Sequence, residues 1–202
     1  MTLANRIFLL MSCLVLLTWV AGGQTKPASN ASKQQAALAD RATQKLAYIQ
    51  RNGMKASPDQ KPTVLTDDEL NAYFADGRVK LPVGVKKVQY QTQPGTVTVN
   101  TQVDFDEVRA GQKSSNPLLG IFSGVHDVEV VAHGAGSGGI ARVQVESAAI
   151  DGVTVPRFVL EMFVDKVLKP KYPKAALDTD FKMPARVDTA ELGQKKLTLT
   201  QK

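Results

Sequence analysis

The only histidines of the 202-residue chain, His126 and His133, stand seven residues apart in GVHDVEVVAHGAGSG. On a strand that spacing sends the side chains to opposite faces, so the two cannot ligate one metal ion together. No other group of Asp, Glu and His has metal-ligand spacing, and no metal or cofactor is expected. Asp67, Asp68 and Glu69 crowd into LTDDELNAYF, but Thr66 and Glu69 form a capping box, and both aspartates fall where a helix dipole favours negative charge. Asp106 and Glu107 of FDEV are adjacent, and adjacent side chains do not face each other for acid–base work. They read as a strand end and the cap of the next element. Gly134, Gly136 and Gly139 spell G-x-G-x-x-G, a fingerprint that holds a pyrophosphate only where a strand leads into a helix. Here Ile140-Ala141-Arg142-Val143 continue as a strand, so the glycines are expected in a hairpin loop. No serine sits in a G-x-S-x-G elbow, and the one cysteine, Cys13, lies in the N-terminal apolar stretch. These residues supply no reaction, and the expectation is a protein that is not an enzyme.

What is unusual is apolar. NPLLGIFSGV, residues 116–125, carries no charge; with Asn116 as N-cap and Pro117 at the first helical position, Leu118, Leu119, Ile121 and Phe122 would cover most of a short helix. All-round apolarity means burial on several sides, contact with lipid, or a partner. VPRFVLEMFVDKVLKPKYPK, residues 155–174, predicts a longer helix that starts near Pro156 and is stopped by Pro170 and Pro173. Leu160, Phe163, Val164, Val167 and Leu168 form a wide stripe beside Phe158, Val159 and Met162. At about 1.5–3 kcal/mol for each large apolar side chain buried, that stripe must dock. Lys171 and Lys174 lie past the last turn, beyond the reach of the helix dipole; with Lys169 and Tyr172 they are placed to meet lipid headgroups.

The surface for docking is a sheet. In VTVNTQVDF, Val97, Val99, Thr101, Val103 and Phe105 alternate with polar residues, and Val88, Tyr90 and Thr92 do so before the Pro94-Gly95 turn, which predicts an antiparallel hairpin. A second hairpin opposes Val128, Val130 and Ala132 to Ala141, Val143 and Val145. Leu177, Thr179, Phe181 and Met183, then Leu197 and Leu199 after a turn-like DTAELGQ, bring the total to about six strands. Gln34 to Gln50 predicts a helix with Leu38, Ala42, Leu46 and Ile49 on one stripe, ended by Asn52-Gly53. The fold class is α+β: a curved, mainly antiparallel sheet packed around or against two to three helices.

At the N-terminus, Arg6 precedes fourteen uncharged residues, Ile7 to Val20, and then Ala21-Gly22-Gly23. Residues 1–23 read as an export signal cleaved near Gly22 or Gly23. The competing reading is a retained anchor, because the uncharged stretch approaches the roughly 17 residues needed to span a bilayer; acylation of Cys13 is disfavoured by the approach Leu10-Met11-Ser12. Residues 24–63 are expected to hold a polar linker and the N-terminal helix, and residues 64–202 a single α+β domain. Cleavage removes one of the 25 Lys and Arg and none of the 19 acids, which leaves a mild positive excess. That suits anionic headgroups but is too diffuse for nucleic acid. The expected place is the periplasm or cell envelope.

The order of LTDDELNAYF with Glu69-Leu70-Asn71, a hairpin closing on VDF, a second hairpin and IDGVTVPRFVLEMFV resembles the small periplasmic lipid-binding proteins of the tubular lipid-binding (TULIP) type, in particular the YceB-like family, over roughly residues 64–187. The resemblance implies a tapered cavity for acyl chains between sheet and helix and a binding or carrier role. The lining is then expected from Val99, Val103, Phe105, Val130, Val143, Val145, Phe158, Phe163 and Phe181, with Leu118, Leu119 and Phe122 at the mouth and Lys169, Lys171, Tyr172 and Lys174 touching a membrane. The alternative is an envelope scaffold with a solid core, whose apolar 116–125 patch binds a protein partner.

Overall fold

The computed structural model describes residues 30–110 and 120–202; the segment read as an export signal, Leu118 and Leu119 lie outside them. Helix α1 (Asn30–Gly53) leads through β1 (Thr63–Thr66) into α2 (Asp67–Ala75). Strands β2 (Val85–Gln93) and β3 (Thr96–Asp104) form one hairpin; after the single turn α3 (Phe105–Val108), β4 (Val125–Ser137) and β5 (Ile140–Ile150) form another. Then come β6 (Val153–Thr154), α4 (Arg157–Phe163) running into a π-helical turn (Val164–Leu168), β7 (Asp178–Lys182), β8 (Val187–Gly193) and β9 (Lys196–Gln201). Among the described residues no helix is long and apolar enough to cross a membrane.

The fold is α+β, as expected, and the described residues form a single antiparallel sheet of nine strands rather than about six. β1 and β6 are too short to show an alternating pattern. DTAELGQ is mostly strand β8, and only Gln194 and Lys195 turn, Lys195 with φ 54°. Ala, Glu and Leu are weak strand formers, and it is pairing with β9 that holds them extended. β4 is the spine. β5 lies along one edge, while the other is shared by β3, which pairs as far as His133, and β8, which takes over at Ala135 and Gly136. Bulges at Lys86 in β2, Glu146 in β5 and Asp188 in β8 each set two residues against one, which bends a strand and increases its twist. The Glu146 bulge also corrects the expected register: Ala132 faces Val145, but Val130 faces Ala148 and Val128 faces Ile150.

The glycine-rich loop is shorter than the sequence suggests. Gly134 and Gly136 belong to β4, and only Gly138 and Gly139 turn, with φ of 60° and 79°. Gly136 is needed where the sheet changes partner, because a Cβ there would come within 2.8 Å of the Met183 sulfur and 2.9 Å of the Ala190 Cβ. α1 starts at Asn30, inside the stretch read as linker, and buries Ala39, Ala42 and Ile49, the last two in one cluster with Leu65, Ala141 and Leu199 of the sheet. In the described part of NPLLGIFSGV, Val125 begins β4, and residues 120–124 are turn and bend rather than helix. There Phe122 is 2% exposed, between Phe105 and Phe163, and so is no surface residue for a partner.

The acidic cluster holds the first hairpin in place. β2 is an edge strand, and α2 covers the part of its edge at Tyr90 and Thr92. Buried Asp67 accepts from the Thr92 backbone N–H and hydroxyl, both at 2.7 Å. One turn on, the Asn71 amide donates to the Tyr90 carbonyl at 2.9 Å and accepts from its N–H at 2.7 Å. Glu69 completes the capping box with Thr66 and takes the Lys45 ammonium of α1 at 2.6 Å. Burial raises the Glu69 pKa, but Lys45 and the Thr66 N–H outweigh it and hold the carboxyl below its usual value. Asp67→Ala strands the buried Thr92 N–H and is expected to cost about 2–3 kcal/mol, whereas exposed Asp68→Ala should cost under about 1 kcal/mol. Urea unfolding of the two variants checks the contrast, and equal losses would contradict it.

Candidate functional site

Alternation along β3, β4 and β5 puts Val99, Val103, Val128, Val130, Val145, Ala148 and Ile150 on one face. α4 and the π-helical turn cross this face with Val159, Phe163, Val164 and Val167 buried. One end of the space between is packed solid, with the Phe105 ring edge-on to Phe122 and Phe163 at 5.4 and 5.7 Å, and Phe122 stacked on Phe163 at 4.1 Å. The remainder is a cavity of about 960 Å³. Val128, Val130 and Val145 are only half-buried although they sit mid-sheet on the helix-covered face. A packed interior would have closed over them.

Of the expected lining residues, Val99, Val103, Phe105, Phe122, Val130, Val145, Phe163 and Phe181 border this cavity. Val143 instead borders a smaller cavity of about 170 Å³ beneath α1 and α2, and Phe181 stands between the two. Phe158 corrects the expectation of an inward side chain: it is 58% exposed on the outer side of α4. Leu118 and Leu119 lie outside the described residues. Lys171, Tyr172 and Lys174 border the cavity, whereas Lys169 turns to Asp165 at 2.5 Å. Val128, Ala148, Ile150, Leu160 and Leu168 join the lining. The period-two pattern carried the strand members, but the β5 bulge hid Ala148 and Ile150.

The deep wall has little polarity. Thr101 borders the cavity, and its hydroxyl is satisfied by donating to the Lys87 carbonyl at 2.6 Å. Asp180 contributes to the rim, but its carboxylate is held by Arg142 at 2.9 and 2.8 Å on the outer face. No cluster of three or more His, Cys, Asp and Glu able to hold a metal occurs among the described residues. The arrangement can receive an apolar molecule by exclusion of water and has one rim where a polar end could stay wet.

A pin fixes the loop that carries Phe122. The His126 ring reaches the Asp151 carboxylate at 2.5 Å through Nδ1 and the Ser123 carbonyl at 2.7 Å through Nε2. Only the imidazolium donates from both nitrogens. The Asp151 carboxylate, and then the Ser123 carbonyl, raise the His126 pKa, while His126 and the Asp127 N–H lower that of Asp151. The raised histidine stabilises the fold below its unfolded value of about 6.5 and loses that contribution as pH rises through the folded value. The depressed aspartate contributes above its unfolded value and loses it as pH falls through the folded one. NMR titration should place His126 above the ordinary histidine value, and Asp151→Asn should bring it down; an unshifted His126 would contradict the pin.

No family model, curated protein or solved structure matches the chain.

Proposed function

We propose that the protein binds an elongated apolar ligand, such as the acyl chain of a lipid, in the cavity between sheet and α4, and holds or carries it without transforming it. The observation that carries this reading is the incomplete burial of Val128, Val130 and Val145 beneath a helix, around a space of about 960 Å³. That volume lies at the upper end of the roughly 300–1,000 Å³ of ligand sites. Apolar side chains that border an unfilled space of this size stay in contact with water, which forfeits the roughly 25 cal/mol per Å² that burial contributes. An occupant recovers that loss. The likeness of residues 64–187 to tubular lipid-binding proteins points the same way. The pattern of residues 1–23, read as an export signal, supports work in the cell envelope, where a carrier would shield acyl chains from water.

The test is enlargement of the wall. In a filled core, Val130→Phe combined with Val145→Phe would overpack and cost about 1–3 kcal/mol or more. Over a cavity the same pair should leave the unfolding free energy unchanged or higher. It should also abolish saturable binding of a fluorescent long-chain fatty acid and remove co-purifying lipid from native mass spectra. Loss of stability together with absence of any bound lipid in the wild type would refute the proposal.

A further inference from the structure

Past the π-helical turn, the chain from Leu168 to Leu177 returns across the cavity to β5. It is stitched at both ends: the Tyr172 N–H donates to the Leu168 carbonyl at 2.7 Å, and the Val145 N–H to the Leu177 carbonyl at 3.1 Å. This strap carries Lys171 and Lys174, both exposed and both bordering the cavity. The Lys171 ammonium donates to two backbone carbonyls, Val108 at 2.6 Å and Ala110 at 3.2 Å. An ammonium has three N–H donors, so one remains, and carbonyls do not neutralise the charge. Lys174 has no hydrogen-bond or ion-pair partner among the described residues.

The cations that surround this wall but face away from the cavity are treated differently. Lys169 pairs with Asp165 at 2.5 Å, Arg157 with Asp178 at 2.6 Å and Arg142 with Asp180 at 2.8 Å. Lys182 also borders the cavity, but it alternates with Phe181 and shares the outer face of β7 with Asp180. Lys171 and Lys174 are therefore positive charges at the rim of an apolar space, with no acid beside them among the described residues. We infer that the occupant is an anionic amphiphile, its chain in the cavity and its carboxylate or phosphate headgroup held at the strap by Lys171 and Lys174. This rests on the cavity-binding reading above and names the ligand class for the same site. Two of the three lysines assigned to membrane contact from the sequence, Lys171 and Lys174, thereby become the headgroup end of the pocket. When the chain displaces water beside them, the headgroup replaces part of the hydration that each ammonium loses.

The test is displacement of the neutral probe N-phenyl-1-naphthylamine from the full-length protein by dodecanoate, dodecyl phosphate and dodecanol, which share one chain. The two anions should compete better than the alcohol, and the stronger of them identifies the headgroup. Lys174→Gln should weaken the anions by roughly two- to fivefold, the range of a partly exposed ion pair, and leave the alcohol unchanged. Raised salt should shrink the anion advantage in the same direction. Lys171→Gln should act likewise, and if loss of its bonds to Val108 and Ala110 prevents folding, Lys174→Gln decides alone. Equal competition by alcohol and anions, or an anion preference that Lys174→Gln does not reduce, overturns the headgroup assignment while cavity binding stands. Failure of the probe and all three competitors to bind removes both.

Discussion

The structure depends on one constraint: β4 is thirteen residues long, apolar along one face, and longer than any single helix here can cover. Two covers divide that face. α1 and α2 lie over the end where β8 joins, and there Ile49, Leu65, Met183 and Leu199 form an apolar core beside the smaller cavity. α4 and its π-helical turn lie over the other end, where Phe105, Phe122 and Phe163 close the floor. The cavity is what lies between these two packed regions. Its deep wall belongs to the sheet, so strand register sets that side of its shape, and the strap from Leu168 to Leu177 sets the other. A bulge such as that at Glu146 can therefore alter the lining without altering the fold.

Polar groups among the described residues hold the covers in place. Asp67 and Asn71 satisfy the open edge of β2, Glu69 ties α2 to Lys45 of α1, and His126 with Asp151 steadies the Phe122 loop. At the C-terminal end, buried Gln201 accepts from the Asn52 amide at 2.8 Å and donates to the Ile49 carbonyl at 2.8 Å, which locks β9 to α1. Each such buried group would be costly if unpaired, so together they specify one arrangement of helices on the sheet. The aspartates and glutamate of LTDDELN are the clearest case. Their spacing suggested a helix cap and nothing more, whereas the structure shows Asp67 and Asn71, one turn apart, acting as a surrogate strand for β2.

How much was legible in the sequence depends on the range of each signal. Period-two alternation is local, so β2, β3, β4 and β5 could be read and their inward residues named, short of Ala148 and Ile150 past the β5 bulge. The capping box at Thr66 and Glu69 is equally local, and it forms as expected. β8 could not be read, because VDTAELG has the composition of a turn or helix and is extended only through pairing with β9 and β4. Gly134 and Gly136 looked like loop residues because their purpose, the close passage of Met183, Ala190 and Leu192, is set by strands some fifty residues away. Phe158 was placed inside by the width of its stripe. Helix α4 docks through Val159 and Phe163, and that rotation leaves Phe158 outward.

Whether the space beneath α4 is an occupied site is the claim on which the functional account stands. A crystal structure of the protein purified without delipidation tests it most directly. The account predicts continuous, rod-like density along Val99, Val130 and Val145, ending beside Lys171 and Lys174. A space closed by inward movement of α4 onto the sheet, with side chains in van der Waals contact throughout and no ligand density, would contradict it.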